Sequence, residues 1–370
     1  MSKLKELMAE LCPDGVEYKA VKDVAVIKPG KDYKHLGEGN FPVYGSGGIM
    51  TYVNQFVYDK PTVLLPRKGS ISNVFYVDIP FWNVDTIYYT EIDEKQMIPR
   101  FFYYVICNEH IEKYNTSNAA RPALTKDVLN KIIIPVPPLP VQREIVRILD
   151  NFTELTAELT AELTAELTAR KKQYEYYRDR LLTFTGGRVE WKTLNEISKN
   201  LDSQRKPVKQ QNRNCGSFPY YGASGIVDYV DSFIFDGDYL LVSEDGANLL
   251  SRSTPIAFPV KGKVWINNHA HVLKFESMNL QRFVEFYLNS IDLRKYLSTA
   301  AQPKLTKDNL NKIPIPVPDA GRIHYIVSIL DHFDTLTNDL ASGLPAEIAA
   351  REKQYAYYRD KLLSFPRKET

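Results

Sequence analysis

The 370-residue chain is 44% hydrophobic and 25% charged, with a formal net charge of +2 and a mean hydropathy of -0.32. That balance excludes a disordered or low-complexity protein and provides length for two domains with cores of their own. No apolar run reaches the roughly 18 residues of a membrane helix, and the opening "MSKLKELMAELCPDG" lacks a signal peptide's apolar block, so a cytoplasmic protein with no membrane partner is expected.

Cys12, Cys107 and Cys215 are scattered singletons, which points to packing and not to a disulfide framework or a zinc site. From Val16 to Pro137, short β-rich runs such as "PTVLLP" and "NVFYVD" alternate with Gly, Pro and Asn turns, and one helix-like run, "MIPRFFYYVICNEHIEKY", interrupts them. The proline-dense "PVPPLP" ends this α/β domain, and a helical pattern runs from Val141 to Phe184. A second domain from Val189 to Pro318 and a second helix from Arg322 to Phe365 follow.

The second half repeats the first with a period of about 180 residues, so each unit is domain-sized. "FPVYGSGGIMTYV" recurs as "FPYYGASGIVDYV", "LTKDVLNKIIIPVP" as "LTKDNLNKIPIPVP", "RKKQYEYYRDRLLTF" as "REKQYAYYRDKLLSF", and "VEYK" as "VEWK". The expected division is 1–137, a first domain; 138–185, a first long helix; 186–318, a second domain; and 319–370, a second long helix.

In the first helix, "LTAELTAELTAEL" places Leu155, Leu159, Leu163 and Leu167 along one stripe of a rod on the order of 65 Å long. The second helix carries Leu336, Leu340, Leu344 and Ile348 at equivalent positions, so the two stripes are expected to pair antiparallel as a coiled coil within one chain. Gly343 and Pro345 should kink or restart the second helix, with Ser342 as its N-cap. Near the helix ends, Tyr174, Tyr177, Leu181 and Phe184, matched by Tyr355, Tyr358, Leu362 and Phe365, read as a core stripe.

The repeated "YGSGG"/"YGASG", "ALTKD"/"KLTKD", "IPVP" and "QYEYYRD"/"QYAYYRD", with the TAEL tandem, closely resemble the specificity (S) subunit of type I restriction-modification enzymes, in particular the TAEL-bearing type IC group. The resemblance covers essentially the whole chain. It implies an α+β chain whose two globular target recognition domains each read half of a split, asymmetric double-stranded DNA sequence, separated by two long helices. Those helices would set the spacer and dock two modification subunits, while restriction subunits complete the nuclease. It further implies no cofactor and no catalytic residue in this chain, with S-adenosylmethionine and Mg2+ held by the partners, and a TAEL repeat number that sets the spacer.

Between Phe41 and Gly69 the first domain aligns without gaps onto Phe218 to Gly246, which sets Arg67 and Lys68 opposite Glu244 and Asp245. Exchanging bases for acids on a shared scaffold suits a change of base preference, since Arg and Lys favour guanine O6/N7 and Glu or Asp can accept from cytosine N4; tips of solvated turns are the plain alternative. Candidate DNA contacts are therefore Tyr44, Ser46, Arg67, Lys68 and Ser70 in one domain and Tyr221, Ser224, Glu244, Asp245, Asn248 and Arg252 in the other. Lys28, Lys31 and Lys34, with Arg205, Lys206, Lys209 and Arg213, lie in polar loops where flexible cations can track phosphates, as ordinary surface charge also would. Tyr176, Arg178, Tyr357 and Arg359 fall off the core stripe and are candidates for docking the modification subunits.

The rival reading is a stand-alone DNA-cleaving or DNA-modifying enzyme. Asp14 with Glu17 and Lys19 superficially matches a PD...ExK metal site, but these acids sit too close in sequence for separate strands, and the second copy keeps only Glu190 and Lys192. No NPPY-like tetrapeptide or FxGxG supports a methyltransferase, and His269 and His271 lack a third metal ligand at useful spacing. A purely structural coiled-coil adaptor explains the helices but not two elaborate domains.

Overall fold

In the computed structural model of the chain, residues 2–115, 122–184, 189–299, 302–339 and 341–368 are described. The chain forms two compact units: Met1–Glu162 with Ile348–Thr370, and Leu163–Glu347.

In the first unit, the fully buried run Thr62–Pro66 has neighbours on both edges, as a continuous apolar run requires. Its four-stranded sheet has the order Ala25–Pro29, Ile87–Ile92, Thr62–Pro66, Phe75–Val77, and a three-stranded sheet joins Gly48–Val53, Glu38–Gly45 and Trp82–Asn83. The second unit repeats this order in one six-stranded sheet, because Ala257–Ile266 runs unbroken where Asp78–Pro80 interrupts the ladder of the first unit. Pro80 has no N–H to give that ladder.

In each unit one helix packs on the central sheet. Pro99–Asn108 starts with proline at its first position and buries Phe101, Phe102, Val105 and Ile106. Its counterpart Met278–Ser290 is capped by Ser277, whose side chain accepts from the Leu280 N–H. The repeated "LTKD" is also a helix start: Thr125 and Thr306 cap Lys126–Asn130 and Lys307–Asn311, accepting from the Val128 and Asn309 N–H groups.

The first long helix spans Leu139–Leu182. Within the first unit, Thr153 bonds the Tyr355 hydroxyl at 2.9 Å and Phe152 packs on Tyr358, while Leu155 and Leu159 line a cleft with Arg351 and Gln354, so the two helices run antiparallel there. Within the second unit, Tyr177 stacks on Phe333. The second helical segment restarts where Gly343 and Pro345 fall, as Ala320–Asn338 followed by Leu344–Leu362. At the break, the Gly343 N–H bonds the Asp339 carbonyl, and a Cβ on Gly343 would lie 2.5 Å from the Thr335 carbonyl oxygen. Ser342 is not the N-cap; its hydroxyl donates to Asp339. Leu340 lies outside the described residues.

The TAEL leucines do not form the single stripe expected of them. Each four-residue word advances about 400° around a helix, so the leucines drift by ~40° per word and cannot stay on one line. Leu163 is 9% exposed, Leu159 and Leu167 are half-buried, and Leu155 is 60% exposed, left uncovered at the end of the drift.

One buried acid gives the second unit a pH dependence. Glu285 is buried, Arg282 donates to one of its oxygens, and the other has no partner among the described residues. Burial, outweighing the Arg282 charge, pushes its carboxyl up from 4.5 to about 7. The folded state thus binds this proton more tightly than the unfolded chain, and the associated stability declines as pH rises from the ordinary carboxyl range and is lost above about 7. Thermal unfolding of the second unit is expected to shift upward on going from about pH 8 to about pH 6, and Glu285→Gln should remove that shift. A persistent shift in the Gln variant would assign it to another group.

Candidate nucleic-acid interface

The repeated glycine motif is a β-hairpin in both units: Glu38–Gly45 with Gly48–Val53, and Cys215–Gly222 with Gly225–Val230. Gly48 and Gly225 close the two turns at φ +112° and +126°, a region glycine enters without a Cβ clash. Tyr44 packs on Phe75 and Phe81 and Tyr221 on Phe258, and burial pushes both phenols up.

Beside each hairpin runs a parallel strand that carries a tryptophan. The Trp82 indole donates to the Lys31 carbonyl at 3.0 Å, and the Trp265 indole donates to the Lys206 carbonyl at 2.7 Å. These indoles anchor the two basic loops by their backbones and leave the side chains of Lys31, Lys34, Lys206 and Lys209 exposed. The tryptophans were not among the candidates; "PFWNVD" and "KVWINN" are too unlike for sequence comparison to pair them.

The other cations of these loops are committed within the fold. Arg205 was expected to be a flexible phosphate contact, but its side chain is 12% exposed and donates to Glu244 at 2.8 Å and to the Ala270 carbonyl at 2.8 Å. Arg213 lies over the Tyr220 ring at 4.2 Å and pairs with Asp228 at 3.0 Å, and Lys28 pairs with Glu91 at 3.2 Å.

The charge-inverted loop has one backbone in both units. The Leu124 N–H donates to the Arg67 carbonyl and the Leu305 N–H to the Glu244 carbonyl, each at 2.8 Å. Lys68 pairs with Asp85 at 2.7 Å and holds that carboxyl below its usual range. Asp245 instead pairs with His269 at 2.9 Å and Lys304 at 3.1 Å; burial opposes its ionisation, but these partners hold it low. The partners therefore invert along with the loop. Arg67 is half-exposed, bonds the Asp85 carbonyl at 3.3 Å and lies over the Tyr88 ring, and Ser70 and Ser224 are exposed.

Several candidates are framework and not surface. Ser46 is buried, with its carbonyl accepting from Asn73, and Asn248 is buried, bonding both the N–H and the carbonyl of Thr254. Arg252 donates to the Asn289 and Ile291 carbonyls. Glu244 and Asp245 are held as described, so neither is a free acceptor for a base. What remains accessible is Arg67, Lys68, Ser70, Lys31 and Lys34 in one unit and Ser224, Lys206 and Lys209 in the other, together with an apolar strip found at matched positions: Ile49, Met50, Tyr52 and Phe56, and Ile226, Val227, Tyr229 and Phe233.

On the helices, Tyr176 and Tyr357 are 57% and 61% exposed. Arg178 and Arg359 each pair with the next residue, Asp179 and Asp360, at 2.7 and 2.8 Å. Glu17 pairs with Lys19 and Glu190 with Lys192, which leaves the PD...ExK resemblance as two matched surface pairs. No group of acids, histidines and cysteines suited to a metal occurs among the described residues, and no described helix is long and apolar enough to cross a membrane.

The model of the type I restriction modification DNA specificity domain matches this chain twice, over residues 13–169 and 188–350. The chain belongs to the type I restriction-modification DNA specificity family. The Escherichia coli EcoR124I/EcoR124II specificity subunit is 36% identical over 309 residues, covering 76% of this chain and 74% of that one. A Haemophilus influenzae relative, a type I restriction enzyme specificity subunit by name, is 41% identical over 183 residues, 48% of this chain and 47% of its own length, so this chain spans about half of that relative. Among solved structures, a chain from work on type I R-M complex assembly and conformational transition matches with TM-score 0.65 at 14% identity, over 95% of this chain and 98% of that one. The S subunit of M. genitalium matches with TM-score 0.54 at 18% identity, over 94% and 96%. These solved chains share the fold. Both halves of the chain thus carry the specificity domain that defines this family.

Proposed function

We propose that this specificity subunit reads a bipartite, asymmetric double-stranded DNA target, with residues 1–137 reading one half-site and 186–318 the other. The helical segments 138–185 and 319–370 set the spacer and dock two modification subunits through Tyr176, Arg178, Tyr357 and Arg359. S-adenosylmethionine and Mg2+ belong to those partners, and restriction subunits add cleavage. The observation that supports this best is one loop backbone, shared by both units, that presents Arg67 and Lys68 in the first and ties Glu244 and Asp245 back to Arg205, His269 and Lys304 in the second: a common scaffold with a different exposed surface is what two unlike half-sites require.

Exposed Lys31, Lys34, Lys206 and Lys209 serve phosphates, whose contacts position the duplex without reading it. Arg67 serves a base edge. Arg67→Ala is expected to relax one position of one half-site by roughly 5- to 150-fold, equivalent to ~1–3 kcal/mol, and to leave the other half-site unchanged. Methylation mapping of library DNA by the subunit assembled with its modification subunits reads this directly. Equal weakening on every sequence would make Arg67 a phosphate contact, and methylation or cleavage by the isolated chain would overturn the non-catalytic reading.

A further inference from the structure

In both units one arginine ties the helix of the recognition domain to the long helical segment packed beside it. In the first unit, Arg100 on Pro99–Asn108 donates through Nε to Asp150 Oδ1 on Leu139–Leu182 at 2.8 Å. In the second, Arg282 on Met278–Ser290 donates through Nε to Asp331 Oδ1 on Ala320–Asn338 at 2.6 Å. The same donor and acceptor atoms recur, although the flanking sequences "PRFFYY" and "QRFVEF" share little beyond the Arg-Phe pair.

Each guanidinium also lies over the aromatic one turn along its own helix, Tyr104 at 5.2 Å and Phe286 at 4.4 Å. The Tyr104 hydroxyl donates to the same Asp150 oxygen. The second clamp is stronger in charge, because Arg282 Nη2 reaches Asp334 at 2.6 Å. The first has Thr153 at the matching place. Arginine suits this role because its rigid fork fixes direction as well as distance.

We propose that the Arg100–Asp150 and Arg282–Asp331–Asp334 clamps are positioning residues for spacer selectivity. They hold each recognition domain at a fixed angle on its helix, so that only one separation of half-sites is accepted. The geometric leverage is large: a tilt of ~10° across a domain about 25 Å wide moves its far edge by ~4 Å, against about 3.4 Å per base pair. Loosening a clamp therefore admits targets one base pair longer or shorter, while the loops that face the bases stay as they were. The inference rests on the bipartite reading given above.

The test uses the subunit assembled with its modification subunits and a set of DNA duplexes with both half-sites fixed and the spacer graded in single base pairs. The wild-type complex should methylate one spacer length best. Asp150→Asn and Arg282→Met are each expected to flatten that preference about five- to tenfold, corresponding to ~1–1.4 kcal/mol, with the preferred half-site bases unchanged. If Arg282→Met fails to fold, Asp331→Ala with Asp334→Ala, which removes both acceptors and leaves Arg282 on Glu285, carries the test instead. Variants that fold and methylate but keep wild-type spacer discrimination overturn the proposal. A wild-type complex that shows no bipartite preference overturns the functional reading itself, which is a separate outcome.

Discussion

Replacing His271 with alanine is expected to cost the second unit about 1.5–3 kcal/mol, the size of a lost hydrogen bond to a charged group, because Asp202 keeps the Val272 N–H, Asn200 and Arg205 as partners. His271 is fully buried; its Nδ1 lies 2.6 Å from an Asp202 carboxylate oxygen and its Nε2 lies 2.6 Å from the Leu305 carbonyl. Asp202 is itself buried. Desolvation opposes its ionisation, but the hydrogen bond and charge of His271, the Val272 N–H and Arg205 together hold its carboxyl below the usual range. The imidazole therefore does two jobs: it satisfies a buried acid, and it ties the "KLTKD" segment to the sheet. The Leu305 N–H on the same segment supports the Glu244 carbonyl, so loss of His271 loosens the loop opposite the first unit's Arg67. Hydrogen exchange should show protection falling across 199–274 and holding in Met1–Glu162. A loss under about 1 kcal/mol, the size of an ordinary neutral hydrogen bond, would mean that Asp202 is satisfied without the histidine.

Deleting Thr160 to Leu163 is expected to shorten the preferred spacer by about one base pair and leave both half-sites unchanged, since one word carries ~6 Å of helix rise and about 40° of drift. The deletion is tolerable because the words are identical: Thr164 to Leu167 slides into the vacated place, and another leucine takes the buried position of Leu163. Removing a single residue instead rotates everything beyond it by about 100° and turns that leucine off its contact surface. Methylation mapping of both deletions separates the outcomes. Altered half-site bases after the four-residue deletion would contradict the division of labour between helix and domain.

The site was legible in the sequence where it rests on short-range chemistry and illegible where it rests on partners far along the chain. Arg205 and Lys206 are neighbours in one polar loop, yet Lys206 reaches solvent while Arg205 is folded onto Glu244, 39 residues away. Trp82 and Trp265 fix the two basic loops through bonds spanning 51 and 59 residues, and no local pattern announces them. The inverted charges of Arg67–Lys68 and Glu244–Asp245 were visible as letters. That their partners invert as well, Asp85 against His269 and Lys304, was not.

By itself the sequence determined the duplication, the restart of the second helix at Gly343 and Pro345 and the helical run through the TAEL words, because propensity and periodicity act over a few residues. The tertiary structure alone decided that Leu155 stays wet while Leu163 is buried, and which cations are spent inside the fold. Those outcomes depend on what a side chain meets after the chain has folded back on itself, and neither burial nor the pairing of a charge is a property of its neighbours in sequence.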